Sequence, residues 1–270
     1  MKADRSIFTV LLLVTAAVFQ LPAQQNEADR KVLAEIRAGA DKGDAKAQYE
    51  LGRAFFSGTL GVAKDEAEAV KWFRKAAEQN VADAQFSLGV CYANGRGVTK
   101  DDAEAVKWFR KAAEQNDARA QAALGVRYAK GQGVTKNKAE AVKWYRKAAE
   151  QNVPDAQYNL GVCYTIGQGV TEDDAEAVKW FRKAAEQNLA DAQYNLGVCY
   201  DSGEGVAKDE VEAYKWWLLA AGQGNDDAKY NMTIVENKMS REQIAEGQRL
   251  ARDFKPRKVP SEGSDARLPP

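Results

Sequence analysis

The chain has 270 residues, 45% of them hydrophobic and 29% charged, and its 39 basic side chains balance 39 acidic ones. That composition excludes a disordered-class chain and gives no electrostatic case for a nucleic-acid or membrane-surface partner. Histidine is absent altogether, which removes the commonest general base and the commonest nitrogen metal ligand.

At the N-terminus, Lys2 and Arg5 precede an uncharged run, Ile7 to Phe19, followed by Leu21-Pro22-Ala23. A basic start, a short apolar run and a small residue at the end read as a secretory signal over residues 1–23, cut after Ala23. The run is too short to cross a bilayer core of about 30 Å, so no stable membrane insertion is expected after cleavage. No cysteine precedes Cys91, which excludes a lipid-modified N-terminal cysteine. The mature chain is expected in the periplasm or outside the cell.

From there the sequence repeats itself. Trp72, Trp108, Trp144, Trp180 and Trp216 follow one another at 36-residue steps. Leu88-Gly89, Leu124-Gly125, Leu160-Gly161 and Leu196-Gly197 keep the same step. Leu51-Gly52 comes one residue early because the first loop, SGTLGV, is one residue longer than NGRGV. An insertion absorbed in a loop while the flanking helices keep register marks repeat units. Five units are read over 44–224. A capping half-unit helix precedes them over 26–43, where EIRAGADKGD echoes WFRKAAEQND. A degenerate sixth unit with a capping helix follows over 225–254. Residues 255–270, rich in proline and charge, read as a disordered tail.

Each unit is predicted to hold two helices. The second is the stretch EAVKWFRKAAEQN, present unchanged at Glu68–Asn80, Glu104–Asn116 and Glu176–Asn188, and with Tyr145 for Phe at Glu140–Asn152. Its apolar residues fill an arc of roughly 160°, wider than one neighbour needs, which suits a helix packed on both its partner and the next unit. The tryptophans sit at the edge of that arc and read as core. Asp65, Asp101, Asn137, Asp173 and Asp209 each stand three residues before a glutamate, predicting a capping box in every unit. Asn80, Asn116, Asn152, Asn188 and Gly224 suit left-handed caps at the far ends.

The first helix is seen in DAQYNLGVCY, with Ala156, Leu160, Cys163 and Tyr164 on one face and Gly161 allowing close approach. It ends in G-x-G, as at Gly167 and Gly169. No strand precedes that pair and no GK[ST] follows it, so it reads as a helix-terminating turn and not a phosphate cradle. Cys91, Cys163 and Cys199 occupy one repeat position. Neighbouring helices lie about 8–10 Å apart, beyond the reach of a disulfide, so the three read as small buried side chains.

The pattern A-x-x-x-L-G-x-x-Y-x-x-G-x-G-V followed by E-A-x-K-W-[FY]-R-K-A-A resembles the Sel-one-like repeat, a subclass of the tetratricopeptide-like solenoids. The resemblance implies an all-α, right-handed superhelical solenoid of helix–turn–helix repeats whose first helices line a concave side. It also implies an adaptor that binds another protein or peptide. Two other classes stand beside it. One is a secreted hydrolase of β-lactamase type, against which every serine lacks a lysine three residues on. The other is a self-assembling structural element of the envelope. No catalytic residue, cofactor or metal site is read from the sequence, and a monomer is expected.

A binding face can be placed on the first helices. Tyr49, Phe86, Tyr158, Tyr194 and Tyr230 fall about 160° from the core leucine at about 100° per residue, so they are expected to point away from the core. The third unit has Ala122 and Ala123 instead, and gathers Arg119, Arg127 and Lys130 on one side. A gap flanked by Phe86 and Tyr158 and edged by three cations would suit a carboxylate of an acidic partner. On the other reading the aromatics pack along the array and the third unit has drifted.

Overall fold

The computed structural model describes residues 27–257, with thirteen helices and no strand among them. The expected signal over 1–23 and the tail from 258 onward lie outside the described residues. The chain forms two compact units, one ending at Ala112 and the other beginning at Ala113. The first contains α1 (27–41), α2 (Ala45–Ser57), α3 (Glu66–Glu78) and α4 (Ala82–Asn94), and the border falls within α5 (Asp102–Glu114). The second contains α6 (Ala118–Lys130), α7 (Lys138–Glu150), α8 (Pro154–Thr165) and α9 (Asp174–Glu186). It continues with α10 (Ala190–Ser202), α11 (Glu210–Gly222), α12 (Asp226–Glu236) and α13 (Arg241–Asp253).

Within each unit every first helix packs on the second helix that follows it, and every second helix on the next first helix: α2 on α3 on α4, and α6 through α12 in the same succession. The fold is an all-α solenoid of helix–turn–helix repeats. Neither helix could bury its apolar residues alone, and stacking gives both sides of each one a neighbour.

Local signals set the helix ends. Asp65 accepts from the Glu68 N–H at 2.9 Å, Asn137 from Glu140 at 3.0 Å and Asp173 from Glu176 at 2.9 Å. The predicted capping box is only half made there. Glu68 and Glu140 turn instead to Lys71 and Lys143, at 2.7 and 3.0 Å. The reciprocal bond forms at α13, where Ser240 and Gln243 cap one another. At the far ends Asn80, Asn152 and Asn188 take φ of 67°, 63° and 67°, the left-handed caps expected of them.

The G-x-G turns do more than end helices. A Cβ at Gly97 would stand 2.0 Å from the Glu66 carbonyl oxygen, so this loop lies against the first turn of α3 at a distance only glycine permits. Beside it Arg96 binds Glu66 at 2.6 Å, and that guanidinium, with Lys64, holds the Glu66 carboxyl below its ordinary range.

A buried polar thread runs through each unit. Gln193 is fully buried, donates to the Ala185 carbonyl at 3.2 Å and Asn188 at 3.1 Å, and accepts from Gln223 at 2.7 Å. Gln157 and Gln121 accept likewise from Gln187 and Gln151, at 2.7 and 2.8 Å. In the first unit Gln48 accepts from Gln79 at 2.7 Å. A buried amide left unpaired would cost about 1–3 kcal/mol, so these bonds fix the register of each helix pair.

The C-terminal end departs from the pattern. α13 packs on α11. A Cβ at Gly247 would meet the Tyr214 ring at 2.6 Å, and the Tyr214 hydroxyl donates to Glu236 at 2.6 Å. Phe254 meets Trp216 edge-on at 5.6 Å, and the Arg257 N–H donates to the Glu186 carbonyl at 2.8 Å.

Candidate functional site

The first-helix aromatics do not point away from the core. In the first unit Phe86 is 3% exposed and its ring centroid lies 5.7 Å from that of Phe109. Tyr49 is half-buried, 5.8 Å from Phe73. In the second unit Tyr158 is half-buried at 6.0 Å from Phe181, and Tyr194 packs around Trp217, whose indole N–H donates to the Tyr194 carbonyl at 3.1 Å. The wheel reading assumed one buried direction. A first helix between two second helices has two, and the aromatics occupy the second. Tyr230, on α12, is the exception at 69% exposed.

The expected gap in the third unit is closed. Ala122 and Ala123 are each 3% exposed, and Ala122 packs in one cluster with Tyr145, Val142 and Leu160. The three cations are not gathered either. Arg119, in the first turn of α6, binds Asp117 through Nε at 3.2 Å. Arg127 and Lys130 lie in the last turn, about 12 Å or more along the axis. Two cations there complement the carbonyl end of the helix. Arg127 hydrogen-bonds the neutral Gln132 at 3.2 Å, and Lys130 is exposed.

The part of this face that reaches solvent in the second unit is the edge of the tyrosines with the asparagines beside them. Asn159 and Asn195, one repeat apart, are half-buried and donate to the Asp155 and Asp191 carbonyls of their own helices, at 2.8 and 3.2 Å. Burial pushes the Tyr158 phenol up, as does the charge of Asp191, while a bond with Asn195 opposes them. The Tyr158 hydroxyl is therefore a neutral donor and acceptor in a row of amides.

Sequence reasoning missed a second surface. On α7 a shallow cleft of about 260 Å³ is lined by Glu140, Lys143, Trp144, Arg146, Lys147 and Glu150. Its floor is Trp144, half-buried instead of core, with the Lys147 ammonium 4.4 Å above the ring. The W-x-x-K spacing in EAVKWFRKAAEQN was the available signal, since residues three apart share a helix face.

Among the described residues no group of three or more carboxylate or thiol side chains could hold a metal ion, and no helix is long and apolar enough to cross a membrane. All three cysteines are free thiols. Cys91 is buried, and Cys163 and Cys199 are half-buried. Burial pushes the Cys91 thiol up to about 12 and Cys199 to about 11, so neither is a ready nucleophile.

A family model described as Sel1 repeat matches five consecutive segments, residues 45–81, 82–117, 118–153, 154–189 and 190–225. The chain is similar to the crystal structure of c5321, a protective antigen present in uropathogenic Escherichia coli strains displaying an SLR fold. The identity is 38% over 81% of this chain and 47% of that one, with a TM-score of 0.74. It thus spans about half the length of that protein. It is also similar to a Sel1 repeat protein from Oxalobacter formigenes, at 32% identity over 88% of this chain and 100% of that one, with a TM-score of 0.73. No curated protein sequence matches the chain.

Proposed function

The chain belongs to the Sel1-repeat family, whose members are typically protein-interaction scaffolds and generally not enzymes, and on that premise we propose that it is an exported scaffold holding a protein or peptide partner. The contact surface is the first-helix face of the second unit. The observation that carries this is the recurrence, one repeat apart, of the half-exposed pairs Tyr158–Asn159 and Tyr194–Asn195. Tyrosine edges give contact area with a polar handle, and amides bond to either donors or acceptors.

Lys130, exposed in the last turn of α6, receives an acidic side chain of the partner. Arg119 is committed to Asp117 and takes no part. Export is supported by the basic start and apolar run before Ala23, and by the description of one relative as a protective antigen. The destination is the periplasm or the exterior.

Affinity capture of envelope proteins on the chain tests this reading. An Asn159→Arg, Asn195→Arg variant, which leaves the core untouched, loses the captured partner at least about tenfold, or about 1.4 kcal/mol. Equal capture by the variant refutes the assignment. A chain recovered from the envelope fraction beginning at Met1 refutes export.

A further inference from the structure

Among the described residues, α1 is of the second-helix type with no first-type helix before it, and α12 is a first-type helix whose successor, α13, lies on α11 instead. In the five complete pairs, the alanine after the leading glutamate of the second helix, Ala69, Ala105, Ala141, Ala177 or Ala213, is buried. α1 is of the second-helix type, and its residue at that place is Val32, 44% exposed. At the other end α13 lies on α11, leaving Tyr230 and Ile234 on α12 at 69% and 40% exposed. Their counterparts Tyr194 and Val198 pack around Trp217. Val32, Tyr230 and Ile234 are three of the four large hydrophobic side chains exposed among the described residues, the fourth being Ile166.

We propose that α12 of one copy seats α1 of a second copy, so that two copies form between them a helix pair of the kind made within the chain. The occupant is set by continuity with the pairing already made five times within the chain. Residue sizes agree. Inside the chain a second-helix aromatic presses on a first-helix glycine, as Phe181 does on Gly161. On α12 that glycine place holds Thr233, and on α1 the aromatic place holds the slimmer Ile36. The contact is heterologous, because each copy offers two different faces, so association propagates from copy to copy. It is also weak. The apolar patch is small, and Lys229 would face Lys42 of the second copy where Gln193 and Gln223 bond within the chain. Added salt screens those cations and strengthens the contact.

Sedimentation equilibrium of the full chain between about 0.01 and 1 mM tests the proposal, a range chosen for a contact below the standard interface size. The weight-average mass is expected to rise with concentration, reaching about twice the monomer value at the top of the range and more at high salt. Val32→Asp alone, and Tyr230→Asp with Ile234→Asp together, each hold the chain at monomer mass. An equimolar mixture of those two variants, which keeps one intact face of each kind, forms a dimer and stops there. A wild type of constant mass overturns the proposal, whether residues 258–270 or another protein then covers α12. Variants that associate like the wild type, or a mixture that stays monomeric while the wild type associates, overturn it too.

Discussion

Gly161 lies so close to Phe181 that a Cβ added to it would stand 2.7 Å from two of the ring carbons. The ring is buried, with no room to retreat. Gly161→Ala is therefore expected to destabilise the second unit by about 1–3 kcal/mol through overpacking. Gly222, at the exposed end of α11, has nothing within 4 Å of an added Cβ, and Gly222→Ala is expected to stabilise by about 0.5 kcal/mol through helix propensity. Urea unfolding of both variants checks the contrast in sign.

The tryptophans should differ in cost although their sequence contexts are nearly the same. Trp216 is buried and meets Phe254, so Trp216→Ala is expected to lose about 3–5 kcal/mol. Trp144 floors an open cleft, and Trp144→Ala is expected to lose about half as much, since less apolar area leaves the core. Phe254→Ala removes only one neighbour of Trp216 and falls below Trp216→Ala. Equal losses at Trp144 and Trp216 would mean that the burial of one is misplaced.

Much of this fold is legible in the sequence because the governing signals are local. The Asp and Asn caps act within a few residues of themselves, the G-x-G turns end the helices just before them, and the 36-residue tryptophan spacing shows that such units recur. The direction of Phe86 was not legible, because a single wheel cannot show that a helix is buried on two sides. The glutamates of the expected capping boxes went to Lys71 and Lys143 instead, a competition between two acceptable partners three residues away. The placement of α13 on α11 follows from Tyr214, which stands where the other second helices have valine and reaches Gly247. The cations of the third unit share a helix side, but their axial separation keeps them from forming one site.

The buried thiol of Cys91 makes the first unit sensitive to alkali. Burial raises it from 9.0 to about 12, so between those values the unfolded chain releases the proton while the folded chain keeps it. Stability is then fully present below about pH 9 and falls by about 1.4 kcal/mol per pH unit until the folded thiol also ionises. Cys91→Ala places there the residue found at the equivalent buried position, Ala54. The variant is expected to show a shallower alkaline loss in urea unfolding at pH 9 to 11. An unchanged slope would mean that Cys91 is not the responsible group.

The scaffold reading is tested most directly by site-specific photocrosslinking in cells that make the chain. A photoreactive residue is placed in turn at Asn159, at Asn195 and at Glu150 on the α7 cleft. The account expects one and the same protein adduct from Asn159 and Asn195, with its yield reduced by Lys130→Glu, and no such adduct from Glu150. Adducts absent from both first-helix positions, or appearing instead at Glu150, would contradict it.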